Sequence, residues 1–369
     1  MTDWIILGGR IRVLFGDCRD RLRELPPRSV HCVVTSPPYF GLRDYGGGID
    51  QIGLEASPDE YVRSIVSVMR GVRRVLRDDG TVWLNLGDKY VAGVSGGCKG
   101  TITSGRNHLA VQRVGHVRGG RKHPRYRGLK PKDLIGIPWR VALALQRAGW
   151  YLRSDVIWHK PAPLPESVTD RPTRAHEYLF LLSKSESYHY DADAIRTPVA
   201  DVTRSTYGTV RTIKSGHDLT EHTRGLAERL PKRKGKVASD GTVLGANARS
   251  VWSIASSGYD GDHTSTFPEA LVEPCIRAGC PVNGVVLDPF VGSGTTLKVA
   301  MRLGRQGIGI EKDGKRKGEI ERRLRGTQTA FPLPEMPARL VVAPPAPSPE
   351  PSADEPASSV DQLALAGVA

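Results

Sequence analysis

The run Val30-His31-Cys32-Val33-Val34, followed at once by Thr35-Ser36-Pro37-Pro38-Tyr39, constrains the fold of this chain more than any other feature. A short apolar run rich in β-branched residues fits a strand buried on both faces, the environment of a parallel sheet. The prolines end it, because proline has no N–H to give to a ladder. A helix is predicted from Ser57, with Ser57 as N-cap, Pro58 at the first helical position and Glu60 completing a capping box. Tyr61, Ile65, Val68, Met69, Val72 and Leu76 recur at helical spacing and form a core-facing stripe. Asp79-Gly80 reads as a turn and Thr81–Leu86 as the next strand.

The same β-α-β pattern returns far along the chain. A strand is predicted over 284–287, a loop over Asp288–Gly294, a helix over 295–303 and a strand over 307–310. Between the two units lie a predicted helix at 134–148 ended by Gly149, strands at 151–158 and 178–183, and a helix from Pro268 to about 278. A polar helix closes the pattern near Arg325. Alternating strands and helices of this kind imply an α/β fold.

Charge points to the partner. The 369 residues carry a formal net charge of +14, which favours a polyanion. Residues 91–132 are glycine-rich, with ten Lys or Arg and no Asp or Glu, and residues 196–249 hold eleven Lys or Arg against five acids. Both read as basic insertions, too long for ordinary connections inside a compact domain. The last 39 residues, from Phe331, include nine prolines and read as a disordered tail. Five cysteines without CxxC spacing argue against a disulfide framework or a zinc site, and no metal is expected. Asp3 and the short apolar run at the N-terminus make a poor signal peptide, and no apolar run approaches the ~20 residues of a membrane span. The expected location is the cytoplasm.

In an open parallel sheet, ligands bind at the carboxyl ends of the strands. The Thr35–Tyr39 and Asp288–Gly294 loops are therefore candidates for one shared site. Glycines let a ligand approach the backbone, and the helix N-terminus beyond favours an anionic group. A GxG alone also fits a packing turn, and no Gly-Lys-[Ser/Thr] follows to make a Walker A loop. Glu311, at the end of the next strand, is placed to accept hydrogen bonds from ribose hydroxyls; a solvated helix start is the competing reading. Pro274-Cys275 spells the nucleophile pair of cytosine C5 methylation, but it falls inside a predicted helix, so Cys275 reads as a packing residue.

Together these motifs resemble the amino-methylating (N4-cytosine or N6-adenine) DNA methyltransferases of the permuted β group, in a phage- or prophage-like branch. In that family an [Asp/Ser/Asn]-Pro-Pro-aromatic catalytic motif precedes an Asp-Pro-Phe-x-Gly-x-Gly cofactor motif, and both occur here in that order. His263-Thr264-Ser265-Thr266-Phe267-Pro268-Glu269-Ala270-Leu271 is similar to the family's cofactor-flanking motif. Gly16-Asp17 resembles the segment that meets the adenine ring, and Thr81–Leu86 with Gly87-Asp88 resembles the strand and loop beside the target base. The Gly41–Gly46 stretch and the run from Trp158-His159-Lys160-Pro161 to Arg171-Pro172-Thr173 carry the phage-like likeness. The resemblance implies a Rossmann-like methyltransferase fold: a mixed, mostly parallel sheet with helices on both faces and circularly permuted motif order.

It also implies S-adenosyl-L-methionine as cofactor, a flipped target base and direct methyl transfer. Ser36 would accept one amine hydrogen and the Pro37 carbonyl the other, on a loop stiffened by Pro38, while Tyr39 stacks on the base. Cofactor contacts are expected from Asp17, His263, Thr264, Phe267, Pro268, Asp288, Pro289, Phe290, Gly292, Ser293, Gly294, Thr295, Thr296 and Glu311. Serine at the first motif position favours cytosine N4, with adenine N6 the alternative; a non-catalytic DNA-binding protein is the rival of a different class. The expected organisation is a catalytic half at 1–190 with the basic insertion 91–132, a target-recognition region at 191–250, a cofactor half at 251–330 and the tail at 331–369. Double-stranded DNA is the expected partner, a companion restriction enzyme is left open, and the protein is expected as a monomer or homodimer.

Overall fold

The computed structural model describes residues 4–6, 10–42, 50–91, 126–197, 245–256, 267–325 and 327. His263 and Thr264, most of both basic stretches, part of Gly41–Gly46 and the proline-rich tail lie outside the described residues. The described residues belong to one compact unit within Met1–Pro337.

Among the described residues nine strands form one sheet: β1 (Trp4–Ile6), β2 (Ile11–Phe15), β3 (Val30–Thr35), β4 (Leu76–Leu86), β5 (Tyr151–His159), β6 (His176–Ser183), β7 (Val251–Ser253), β8 (Val285–Asp288) and β9 (Gln306–Glu311). Their order is β1-β2-β9-β8-β3-β4-β6-β5-β7. Only β1 and β6 run against the rest. The sheet is thus mixed and mostly parallel, as expected.

Six helices among the described residues cover it: α1 (Cys18–Glu24), α2 (Pro58–Val75), α3 (Ile137–Arg147), α4 (Glu269–Gly279), α5 (Thr295–Arg302) and α6 (Lys317–Arg325). Side-chain alternation along the central strands explains why both faces need cover. Val33, Val82, Leu84, Phe180 and Leu182 pack with α1, α2 and α3. Cys32, Val34, Trp83, Leu179 and Leu181 pack with Leu271, Val272 and Ile276 of α4 on the other face. The α2 stripe is buried as read, and Ser57 Oγ accepts from the Glu60 N–H at 3.3 Å.

Three details differ from the sequence reading. First, Asp79-Gly80 is no turn, because β4 leaves α2 directly at Leu76. Val30 pairs with Leu76 and Cys32 with Thr81, so the extra residues of β4 bulge out. The bulge is tied down by Lys184 Nζ on the Leu76 carbonyl at 3.2 Å and by Ser185 Oγ on the Asp78 carbonyl at 2.7 Å. Second, the N-terminal run forms β1, β2 and α1, with Asp17 Oδ1 capping α1 through the Arg19 N–H at 2.9 Å. Third, β7, from the later part of the chain, pairs with β5 of the earlier part.

Pro274 does lie inside α4, and Cys275 is fully buried, its thiol donating to the Leu271 carbonyl at 3.1 Å. Burial pushes that thiol's pKa well up, which disfavours a thiolate nucleophile. No described helix is long and apolar enough to cross a membrane.

Helix α4 meets the sheet at Gly279, where an added Cβ would lie 2.4 Å from Thr81 Oγ1 and 2.8 Å from Trp83 Nε1. Gly279→Ala should therefore destabilise the fold by about 1–3 kcal/mol, the usual cost of overpacking. Urea unfolding measures it, and an unchanged midpoint would mean that this contact is loose.

Candidate active site

The chain leaves β3 through α2 toward β4, and leaves β8 through α5 toward β9 on the opposite side. Strands β3 and β8 are parallel neighbours, so the sheet switches direction between them. Their carboxyl ends are Thr35 and Asp288. Thr35 Oγ1 donates to Asp288 Oδ1 at 2.6 Å, in a buried bond between residues 253 positions apart. Thr296 Oγ1 donates to Asp288 Oδ2 at 2.7 Å, and the Phe290 N–H donates to Oδ1 at 3.0 Å. The carboxyl is 1% exposed, and burial raises its pKa from 3.8 to about 6 against the opposing pull of those three donors.

A cleft of about 1420 Å³ opens at this switch point. It exceeds the roughly 300–1,000 Å³ of an ordinary small-ligand pocket and has room for two ligands side by side. Asp17, Ser36, Pro37, Pro38, Tyr39, Phe267, Asp288, Pro289, Phe290, Gly292, Ser293, Thr295 and Glu311 all line it. Among the sequence candidates, Pro268, Gly294 and Thr296 do not. Pro268 caps α4, and the Thr296 hydroxyl is spent beneath the loop on Asp288 and the Val34 carbonyl. Gly292 and Gly294 have φ of +53° and +89°, left-handed values that side chains other than glycine rarely adopt. They turn the loop so that α5 begins facing the cleft. Arg323 Nη1 donates to Ser293 Oγ at 2.6 Å and braces it.

Two carboxylates mark the far end of the cleft. Glu311 ends β9, and its Oε1 accepts from the Asp313 N–H at 2.9 Å. Burial pushes its pKa to about 7, opposed by that N–H and by Arg316. Asp17 lies across from it, since the Gly16 N–H donates to the Glu311 carbonyl at 2.9 Å. The Asp17 carboxylate takes a forked pair from Arg19, Nε at 2.8 Å and Nη2 at 2.7 Å, which lowers its pKa.

The Ser36–Tyr39 loop forms the near end. Tyr61 Oη donates to the Pro38 carbonyl at 2.9 Å, and among the described residues none donates to the Pro37 carbonyl. Ser36 Oγ donates to Tyr39 Oη at 3.3 Å. Tyr39 Oη reaches Glu177 Oε2 at 2.7 Å and Asn85 Oδ1 at 2.9 Å. Lys160 Nζ donates to Glu177 Oε1 and lies 4.4 Å from the Trp158 ring centroid. Desolvation, then the Glu177 charge, drives the Tyr39 phenol pKa well up. Gly87 lies against the Tyr39 ring, where a Cβ would come within 2.4 Å of Cε2. Asp88 accepts from the Gly136 and Ile137 N–H groups at 3.0 Å and caps α3 from a distance.

Sequence reasoning did not single out Glu177 or Tyr61 for this site, and it noted Asn85 and Lys160 only within longer likenesses. Each comes from a different element, so no local spacing joins them to Ser36. An acid followed by an aromatic strand, Glu177 before Tyr178–Ser183, was the one available signal.

Known proteins resemble this chain in sequence and in fold. A family model for N6- and N4-type DNA methylases, described as DNA methylase, matches residues 30–322. The Type II methyltransferase M.SmaI of Serratia marcescens is 43% identical over 300 residues, covering 81% of this chain and 86% of that protein. The Type II methyltransferase M.Cfr9I of Citrobacter freundii is 42% identical over 316 residues, covering 85% and 87%. Among solved structures, PvuII DNA methyltransferase (cytosine-N4-specific) aligns with a TM-score of 0.51 and 20% identity over 87% of this chain and 94% of its own, a likeness of fold.

Two outcomes are expected. In Gly87→Ala the new methyl displaces the Tyr39 ring and should lower turnover while cofactor affinity stays normal; isothermal titration beside a transfer assay separates the two. The second concerns pH. Between 3.8 and about 6 the folded protein keeps on Asp288 a proton that the unfolded chain has released. That carboxyl therefore favours folding at acid pH, and its support fades as pH rises through about 6. Asp288→Asn should remove this part of the slope, so the stability difference from wild type should change across pH 4–6. A pH-independent difference would refute the raised pKa.

Proposed function

The chain belongs to the amino-methylating DNA methylase family of S-adenosylmethionine-dependent enzymes, and from that premise we propose that it methylates the exocyclic N4 of cytosine in double-stranded DNA. The observation that carries this reading is the meeting of the Ser36 and Asp288 loops in one cleft at the switch point of the sheet.

The residues present fit the cofactor. Glu311 offers a carboxylate to ribose hydroxyls, and the α5 N-terminus beyond Gly292 and Gly294 suits the anionic amino-acid end. Phe267 and Phe290 supply apolar wall, and Asp17 lies where the adenine amine is expected. Asp288, its oxygens engaged by Thr35, Thr296 and the Phe290 N–H, acts by shaping the loop. When bound, S-adenosylmethionine supplies a methyl group on a positively charged sulfur.

The target amine is a poor nucleophile, because its lone pair is delocalised into the ring. Ser36 Oγ and the Pro37 carbonyl each accept one amine hydrogen and let the nitrogen become tetrahedral. Tyr39 stacks on the flipped base, and much of the rate comes from positioning. The serine in Ser36-Pro37-Pro38-Tyr39 favours cytosine over adenine within the family, and the fold relative from PvuII is described as cytosine-N4-specific. Basic residues within 91–132 and 191–250 are the natural contacts for DNA phosphates, with target recognition in the second stretch.

Nucleoside analysis of DNA from a methylation-deficient host expressing the protein tests the reading. N4-methylcytosine is expected; N6-methyladenine alone would overturn the cytosine assignment. Ser36→Ala should bind cofactor normally yet transfer about 10²-fold more slowly, the scale for losing one positioned hydrogen-bonding group. Unchanged turnover would refute its role.

A further inference from the structure

Methyl transfer to an amine leaves one proton too many on the nitrogen, and the roles assigned so far give it no destination. In the described cleft, the hydrogen bonds that begin at Ser36 run in one direction. Ser36 Oγ donates to Tyr39 Oη at 3.3 Å, and Tyr39 Oη lies 2.7 Å from Glu177 Oε2. The Tyr39 hydroxyl has one hydrogen and two acceptors within reach. The carboxylate is nearer than Asn85 Oδ1 and is charged, so it takes the stronger bond. Asn85 is held in place by its Nδ2 donating to the Tyr178 carbonyl at 3.1 Å. Because the Ser36 hydrogen points to Tyr39, the serine lone pairs are left to face the target amine.

The far end of this chain is an ion pair with no other assigned task. Glu177 and Lys160 side chains are only 16% and 23% exposed. Such a pair is expensive to desolvate and adds little to stability by itself. It lines the cleft and comes from β6 and the end of β5, elements remote in sequence from the Ser36 loop.

Resting on the methyltransferase reading, we propose that Glu177 is the terminal proton acceptor of the reaction, reached through Ser36 and Tyr39. The amine nitrogen forms a bond to the methyl carbon, and the sulfur–methyl bond breaks with its electron pair returning to sulfur. The methylated nitrogen, now cationic, gives a proton to Ser36 Oγ. Ser36 passes its own hydrogen to Tyr39 Oη, and Tyr39 passes its own to Glu177 Oε2. Both hydroxyls end neutral, and the carboxylate ends as a carboxylic acid. A weak base suffices, because a four-bonded exocyclic nitrogen has lost its conjugation and is strongly acidic. Lys160 holds Glu177 oriented before the reaction. The carboxylate also lies close enough to favour the positive charge that develops on the base.

The test is single-turnover transfer of a labelled methyl group to unmodified bacterial genomic DNA, with cofactor affinity measured on every variant. Wild-type protein comes first: no transfer there would fault the functional reading and not the relay. Tyr39→Phe keeps the ring and removes one oxygen, and Glu177→Gln keeps the shape and removes the base. Each should bind cofactor normally and slow transfer by about 10²-fold or more, the usual scale of proton-transfer catalysis. Glu177→Ala should be rescued in part by added formate, a small carboxylate that can occupy the vacated space, whereas Tyr39→Phe should not respond. If a Glu177 variant fails to bind cofactor, Tyr39→Phe decides alone. Wild-type rates in Tyr39→Phe or Glu177→Gln would overturn the proposal. So would a folded, cofactor-binding Glu177→Ala that formate does not restore, since the network would then merely hold the Tyr39 ring.

Discussion

The buried hydrogen bond from Thr35 to Asp288 is the contact on which the rest of the site depends. It joins the ends of two neighbouring parallel strands at the point where the sheet changes winding direction. Asp288 is buried, so its oxygens must be met by hydrogen-bond donors. Thr35, Thr296 and the Phe290 N–H meet them, and in doing so fix the start of both functional loops relative to each other. A raised carboxyl pKa is the electrostatic trace of that burial. Two chain segments 253 positions apart thereby become one cleft.

The two ends of the cleft use polar groups differently. At the Glu311 end, a carboxylate with an elevated pKa faces the cleft with the Asp313 and Gly292 N–H groups and Arg316 beside it, and about four lone-pair sites leave acceptor capacity. At the Ser36 end, the groups are already linked to one another, from Ser36 through Tyr39 to Glu177 and Lys160, with Asn85 also on the Tyr39 hydroxyl. The Pro38 carbonyl is also taken, by Tyr61. An end with spare acceptors suits a ligand that brings hydroxyls, whereas a pre-linked end suits a reaction that must be positioned and must move a proton. The apolar layers on both faces of the sheet keep this arrangement stiff, since β3, β4 and β6 each send alternate side chains into different cores.

The amino-acid sequence by itself determined the two β-α-β units, the capped α2, the burial of Cys275 within a helix and the two loops that line the cleft. These are local properties: a proline that stops a strand, a serine that caps a helix and a glycine pair that permits left-handed backbone act within a few residues. The same locality misread Asp79-Gly80, where an ordinary turn dipeptide became a bulge because Leu76 is drawn into the core and Lys184 and Ser185 hold the excursion. Only the tertiary structure decided that β1 and β2 extend the sheet, that Thr35 and Thr296 serve Asp288, and that Glu177, Lys160 and Asn85 stand behind the Ser36–Tyr39 loop. Those outcomes rest on contacts between residues tens to hundreds of positions apart. The motif at Ser36 is legible because it is spelled in consecutive residues; the charges behind it are not, because a carboxylate acts through space and sequence order carries no record of that distance.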